Sequence, residues 1–394
     1  MLLVSQGPGG VQGTGTRAST NGTATVASHD GRLVAFSTAA ALVPQDTNEF
    51  IDVYLRDKVR RTTTLVSTTA SGALSDGDSF EPTLSADGRS IAFTTAATNL
   101  VRGLGDEELD VVARDLRHGA YQVVSQTTAG QRRPGYSFFA TMAGDGRYVA
   151  FQSFSRLAPD DRDDVEDVFV RDLRRRTTKL VSIAPGGRPV ETGVLVGGIS
   201  WHGKVVTFGD DQHAWARDVH ARRTTVVWQE PKVPDFDSGT VGRPAVSGNG
   251  RFVAFSSMQV TGLGDTRGFE NVYRRDLRTG RLERVTYGID GAVPDGDSFL
   301  PSLSRSGRYV GLGTFAGNLV RGDGEAGDGE AVVVDQRRHR TTWASPSRPS
   351  PTGESARSDV AISADGNALV YASYDDLLTP EDRNGWPDVF VWKR

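Results

Sequence analysis

Seven times the chain repeats one phrase: a small or polar residue, a short turn ending in glycine, then an apolar run closed by an aromatic or bulky side chain. It reads SHDGRLVAF at Ser28–Phe36, SADGRSIAF at Ser85–Phe93, AGDGRYVAF at Ala143–Phe151, SWHGKVVTF at Ser200–Phe208, SGNGRFVAF at Ser247–Phe255, SRSGRYVGL at Ser304–Leu312 and SADGNALVY at Ser363–Tyr371. The glycines Gly31, Gly88, Gly146, Gly203, Gly250, Gly307 and Gly366 are 57, 58, 57, 47, 57 and 59 residues apart, so the fourth unit alone is short. A fixed period of this length marks a repeat architecture.

A second phrase follows each first one, as in DVYLRD at Asp52–Asp57, DVFVRD at Asp167–Asp172 and HAWARD at His213–Asp218. A third short run, such as TTTLVS at Thr62–Ser67, comes next, and a further run precedes the glycine turn. Each unit therefore offers four strands with turn chemistry between them. Four short strands repeated seven times give an all-β fold, a seven-bladed β-propeller of four antiparallel strands per blade. In the second unit Leu109, Val112, Ala113 and Leu116 have helical spacing, but their register with the other units assigns a strand. The last unit reaches Arg394 with only three strands, whereas the chain opens on MLLVSQ, which matches the fourth strands TTLVST and YQVVSQ. Met1–Gln6 is expected to complete the C-terminal blade and close the ring, so that residues 1–394 make one domain.

These phrases resemble the TolB-type, or WD-like, bacterial propeller repeats, whose units read like SADGRYVAF followed by DTN and DVFV. The resemblance covers essentially the whole chain. It implies the propeller fold, but members of such families serve as docking platforms, sugar-binding modules and scaffolds of hydrolases and lyases. TolB itself resembles a six-bladed ring behind a separate N-terminal domain, which this chain lacks. A translocation role is therefore not implied.

A net charge of −4 argues against a nucleic-acid binder built on phosphate neutralisation. The absence of cysteine excludes disulfides, thiolate metal sites and a cysteine nucleophile. The sequence has no apolar run long enough to span a membrane and no secretory leader at Met1. An extracellular or periplasmic monomer is expected, the chain being a mature form or a bare domain, and an intact cytoplasmic protein would look the same.

The turns between first and second and between third and fourth strands are short, which places the long loops on the opposite face, where function concentrates. Asp46, Asn48 and Asp52, then Asp161, Asp163 and Asp167, then Asp382, Asn384 and Asp388 share the spacing D-x-[ND]-x-x-x-D. Oxygens at positions 1, 3 and 7 of a tight loop can converge on Ca²⁺, although the bidentate Glu of an EF-hand loop is missing. The competing reading makes these residues Asx-turns that start the third strand. The fifth unit weakens the pattern to Asp265, Arg267 and Asn271.

The fourth unit loses its long loop and gains Trp201, His202, His213, Trp215, His220 and Trp228. Asp210, Asp211 and His213 are candidates to line a ligand notch there, with Trp215 as a core residue. Ser-Phe pairs before the first strands make Phe80, Phe138 and Phe299 candidates for a ligand site at the channel mouth, against the plainer reading of buried aromatics. Basic clusters such as RRRTTK at Arg174–Lys179 are expected to protect edge strands. No G-x-S-x-G elbow and no H-E-x-x-H helix is present. The expected function is a non-enzymatic propeller that binds a protein or glycan on its long-loop face. The alternative is a carbohydrate-active lyase or hydrolase acting at the channel mouth.

Overall fold

The computed structural model describes residues 1–7, 10, 26–104, 108–231, 241, 243–258, 263, 268–321, 329–345, 360–373, 378–382 and 388–394. They form seven four-stranded antiparallel sheets, each ordered from first to fourth strand. Blade 3 is representative, with strands Ser137–Met142, Tyr148–Ser153, Asp167–Asp172 and Thr177–Leu180. The helically spaced segment of the second unit is the strand Asp110–Asp115, because register in the sheet outweighs a short local pattern.

Ring closure runs through the N-terminus. Leu2–Leu3 is the fourth strand of blade 7, with Leu2 opposite Val391 and Leu3 opposite Phe390. The chemistry of this closure repeats that of the other blades. In blades 1, 2 and 3 the hydroxyls of Ser67, Ser125 and Ser182 on the fourth strand accept from the amides of Val53, Val111 and Val168, at 3.0, 3.1 and 3.1 Å. They also donate to Asp52, Asp110 and Asp167, which open the third strand. Ser5 does both in blade 7, accepting from the Val389 amide at 2.8 Å and donating to Asp388.

Apolar clusters sit between blades. Val34, Phe36 and Tyr54 of blade 1 pack with Val370, Val389 and Val391 of blade 7, and Leu3, Tyr371 and Phe390 of blade 7 pack with Tyr309 and Val333 of blade 6. Burial at each junction depends on both neighbours, so the core is a chain of nearest-neighbour contacts around the ring. The turn glycines belong to this packing. Gly203 and Gly366 have φ of 67° and 76°, and a Cβ there would lie 2.4 Å from Tyr148 and 2.1 Å from Tyr309 on the preceding blade. Only glycine satisfies both the left-handed backbone and that approach.

The seven tight turns are tied to one another around the channel by backbone hydrogen bonds. His29 donates to Ala86, Ala86 to Gly144, Asp145 to Trp201, Trp201 to Gly248, Asn249 to Arg305, Arg305 to Ala364 and Asp365 to His29, at 2.8–3.2 Å. Trp201 of blade 4 lies across this opening. Its ring meets His29 of blade 1 edge-on at 5.8 Å and carries the Arg305 guanidinium of blade 6 at 4.1 Å. Trp201 thereby covers the short-turn end of the channel.

Candidate functional site

The acidic loops of blades 1 and 3 adopt the same local structure. Asp46 and Asp161 each donate a backbone amide to the carbonyl three residues back, at 3.0 and 3.1 Å, and Asp382 of blade 7 does so at 3.2 Å. Asn48 and Asp163 then accept from the amides of Phe50 and Val165, at 3.0 and 3.2 Å. These are the Asx-turns expected of such residues. The turns fold position 1 inward, so that Asp46 and Asp161 are buried together with Asp52 and Asp167.

In blade 3 the carboxylate oxygens of Asp161, Asp163 and Asp167 lie within 4.8 Å of one another. Asp161 Oδ1 is buried without a hydrogen-bond partner, while Asp167 Oδ1 accepts from Ser182. Burial, aggravated by the neighbouring Asp163, pushes the Asp161 carboxyl up to about 6. Burial also pushes Asp167 up to about 7, reinforced by Asp161 and Asp163 against the Ser182 hydrogen bond. In blade 1 Asp46 Oδ1 and Asp52 Oδ2 are likewise buried and unpartnered. Their other oxygens accept from Tyr54, and from Ser67 and Ser75. Burial raises Asp52 to about 6. In blade 7 Asp382 and Asp388 are both buried, and Asn384 lies outside the described residues, as do Asp265 and Arg267 of the fifth unit.

The remaining blades provide an internal comparison at the same register. In blade 2 the Arg132 guanidinium meets Asp110 at 2.8 Å and Glu108 at 3.3 Å, supplying a cation from the chain itself. Blade 5 has the neutral Asn271, whose amide oxygen accepts from Thr286 at 3.0 Å. Blade 4 has His213, whose Nδ1 is 3.0 Å from Asp210. Among the described residues, no basic side chain hydrogen-bonds or ion-pairs with Asp46, Asp52, Asp161 or Asp167.

Of the expected notch residues, Asp210 and His213 are joined and Asp211 stands exposed beside them. The Asp210 carboxylate also caps the Gln212 and His213 amides at 2.8 and 2.6 Å. The His213 ring stacks on Trp215 at 4.7 Å. Trp215 is buried and stacks on Phe208 at 5.2 Å, a core residue as expected. Trp201 and His202 belong to the opposite face, where His202 faces Asp145 at 3.0 Å.

Phe80, Phe138 and Phe299 are half-buried on the innermost strands of three blades. Each precedes a bulge whose next residue, Glu81, Phe139 or Leu300, has φ near +50°. Phe138 packs against Phe139 and Phe154 at 5.2 and 6.0 Å, and Phe299 against Phe315 at 5.2 Å. These ring contacts stay within each blade.

Two groups of residues near this face were not singled out from the sequence. Glu230 is buried with Oε2 unpartnered, and Ser257 donates to its Oε1. Burial raises its carboxyl, and burial together with Asp297 and Glu230 pushes Glu270 up to about 7. Separately, the Arg243 guanidinium of the fifth unit lies 3.5 Å from the centre of the Phe139 ring in blade 3. The intervening strand of blade 4 carries Gly197 and Gly198, and a Cβ on Gly197 would lie 2.0 Å from the Pro244 carbonyl. A signal was present in the sequence, since paired glycines stand there where blades 2, 3 and 6 carry larger residues.

No family model matches the sequence, and no curated protein matches it. Solved structures match through the fold. An oligogalacturonate lyase in complex with manganese superposes with a TM-score of 0.57 at 12% identity over 95% of this chain and 89% of that one. The β-propeller domain of the Trilobed protease from Pyrococcus furiosus, described as having an open velcro topology, gives 0.57 at 11% identity over 95% and 94%. TolB from Acinetobacter baumannii gives 0.44 at 14% identity, with 81% of this chain covering 65% of that one. At these identities the likenesses extend to the fold alone.

Proposed function

We propose that this propeller is a non-enzymatic binding module that takes a protein or glycan partner on its long-loop face, with Ca²⁺ ordering the loops of blades 1, 3 and 7. The observation that carries the reading is the recurrence of one acidic loop at equivalent positions. A reaction centre is needed once per molecule, whereas a device repeated around a ring suits the shaping of a surface. Carboxylate, amide and carbonyl oxygens without imidazole or sulfur suit a hard cation. Asp161, Asp163 and Asp167 would hold it in blade 3, and Asp46, Asn48 and Asp52 in blade 1. Asp210, Asp211 and His213, with Phe80, Phe138 and Phe299 nearer the channel, are the proposed partner contacts.

Calorimetric titration of EDTA-treated protein with Ca²⁺ tests the cation. Heat that disappears in Asp161→Ala/Asp163→Ala supports it, and an isotherm without heat rejects it. A second reading, a carbohydrate lyase or hydrolase, is favoured by the raised carboxyls of the buried Glu230 and the half-buried Glu270, the latter, at about 7, suited to proton transfer near neutral pH. A glycan array paired with a product assay separates the two: binding without turnover supports the first, and product lost in Glu270→Gln supports the second.

A further inference from the structure

The two faces of the ring carry opposite charge. The short turns comprise residues 28–32, 57–61, 85–89, 115–120, 143–147, 172–176, 200–204, 218–222, 247–251, 276–281, 304–308, 335–339, 363–367 and 393–394. They hold twenty-one Lys and Arg against ten Asp. With a net charge of −4 for the chain, an excess of eleven positive charges on this face leaves fifteen negative charges elsewhere. The acids on the face are committed internally. Asp57, Asp172, Asp276 and Asp335 each hold the turn arginine of their own blade at 2.6 Å and also cap turn amides at 2.9–3.1 Å. The arginines at the turn tips remain exposed, among them Arg60, Arg61, Arg174, Arg175, Arg337 and Arg338.

Shape selects the kind of partner. The turns are of nearly equal length in every blade, and those between first and second strands are laced together by the ring of backbone hydrogen bonds. Trp201 closes the opening at the centre. The result is a broad basic face, indented between blades 2 and 3 by a recess lined by Arg114, Arg147 and Arg174, with its cations spread around the whole ring rather than along one track. Val59, 73% exposed, stands at a turn tip between Lys58 and Arg60, an apolar side chain placed among cations as in interfacial contacts.

We infer that the short-turn face docks on a lipid bilayer bearing anionic headgroups, which would leave the acidic long-loop face turned toward its partner. Attraction of this kind acts within a Debye length and scales with the number of cations brought near the surface.

The test is co-sedimentation of the whole chain with phosphatidylcholine vesicles, with and without phosphatidylserine. Binding is expected only to the phosphatidylserine vesicles at low salt, with loss at about 0.5 M NaCl, where the Debye length is below 10 Å. Each cation near an anionic surface is worth about fivefold in partitioning. Arg174→Glu/Arg175→Glu/Arg337→Glu/Arg338→Glu should therefore weaken binding at least about a hundredfold, and Arg60→Glu/Arg61→Glu serves if that protein does not fold. Asp164→Lys, outside the short turns, should not reduce binding. Failure to bind phosphatidylserine vesicles, or equal binding by the folded reversal variants, overturns the proposal. Binding of heparin by a protein that ignores the vesicles overturns it in favour of a linear polyanion. Partner binding on the long-loop face is measured separately and is indifferent to these results.

Discussion

Removing Ca²⁺ should change how stability responds to pH, and the buried carboxylates set the sign. Asp167 rises from an ordinary 3.8 to about 7 through burial, with Asp161 and Asp163 adding to it. A carboxyl raised in the folded state binds its proton more tightly there than in the unfolded chain. Its contribution to stability is therefore full below about pH 4 and is lost as pH rises through about 7. At about 1.4 kcal/mol per unit, Asp167 alone makes the empty protein about 4 kcal/mol less stable at pH 7.5 than at pH 4, an upper figure because water and relaxation soften the penalty. Asp52 and Asp161, both near 6, act in the same direction over a lower range. Carboxyls held low, such as Asp57 at about 2 beneath Arg32, lose their stabilising charge only in stronger acid, outside this window. Chemical denaturation in EDTA should thus show stability falling between about pH 4.5 and 7.5. Saturating Ca²⁺ supplies the missing charge and adds about 2.7 kcal/mol at a hundredfold excess over Kd, so the fall should flatten. Asp167→Asn copies the residue that blade 5 carries at Asn271. It should remove most of the slope and most of the Ca²⁺ effect together. Superimposable profiles in EDTA and Ca²⁺, both declining with pH, would refute the cation reading while leaving the buried carboxylates intact.

Other substitutions address closure, the notch and the built-in cation. Leu3→Ala should destabilise by about 2–5 kcal/mol in equilibrium denaturation, because Leu3 is buried between blades 6 and 7; a wild-type curve would deny that the N-terminal strand seals the ring. Trp215→Ala should cost about 3–5 kcal/mol as a core truncation. Asp211→Ala, at an exposed position, should alter stability by less than about 0.5 kcal/mol while weakening partner binding if the notch is used; unaffected binding moves the contact toward Phe80, Phe138 and Phe299. Arg132→Ala should cost roughly 3 kcal/mol by leaving Asp110 without its counter-ion, and added Ca²⁺ should restore part of this; a loss insensitive to Ca²⁺ would show that the blade 2 position does not substitute for a cation site.

The fold was legible because the repeat states its constraints in residue types that few alternatives satisfy. Glycine with φ above zero against the preceding blade, and a serine that closes on the third strand, recur where a propeller needs them. Ser5 of the opening MLLVSQ matches Ser67 of TTLVST and Ser125 of YQVVSQ in the sequence alone. The candidate site was less legible. The spacing of Asp161, Asp163 and Asp167 allowed either Asx-turns or convergence on a cation, and both descriptions hold, because the turn at Asp163 is what brings its neighbours inward. Arg132 was invisible because it comes from the crossing between blades, twenty-two residues beyond Asp110 and outside any motif. Glu230 was missed for a similar reason: its partner Ser257 sits on the next blade, and sequence periodicity describes positions within a unit better than contacts between units.

The same physics divides labour between the two faces. On the short-turn side the recurrent residues are over-determined: the glycine by its backbone and its neighbour, the aspartate of blades 1, 3, 5 and 6 by its arginine and the amides it caps, and the turns between first and second strands by their mutual hydrogen bonds. Variation there is confined to the exposed tips, which is where the arginines accumulate. On the long-loop side one register holds an aspartate without a basic partner, an arginine-paired aspartate, an asparagine, a histidine or, in blade 6, the buried Glu330, and the sheet beneath is unchanged. A position that tolerates five such residues is not what forms the blade. What distinguishes them is whether charge is compensated within the chain; in blade 1, among the described residues, no basic side chain pairs with Asp46 or Asp52, and in blade 3 only Arg156, which ion-pairs with Asp164 at 2.9 Å, offsets Asp161 in part. On the proposed reading, the acidic loops are where this ring depends most directly on what it binds.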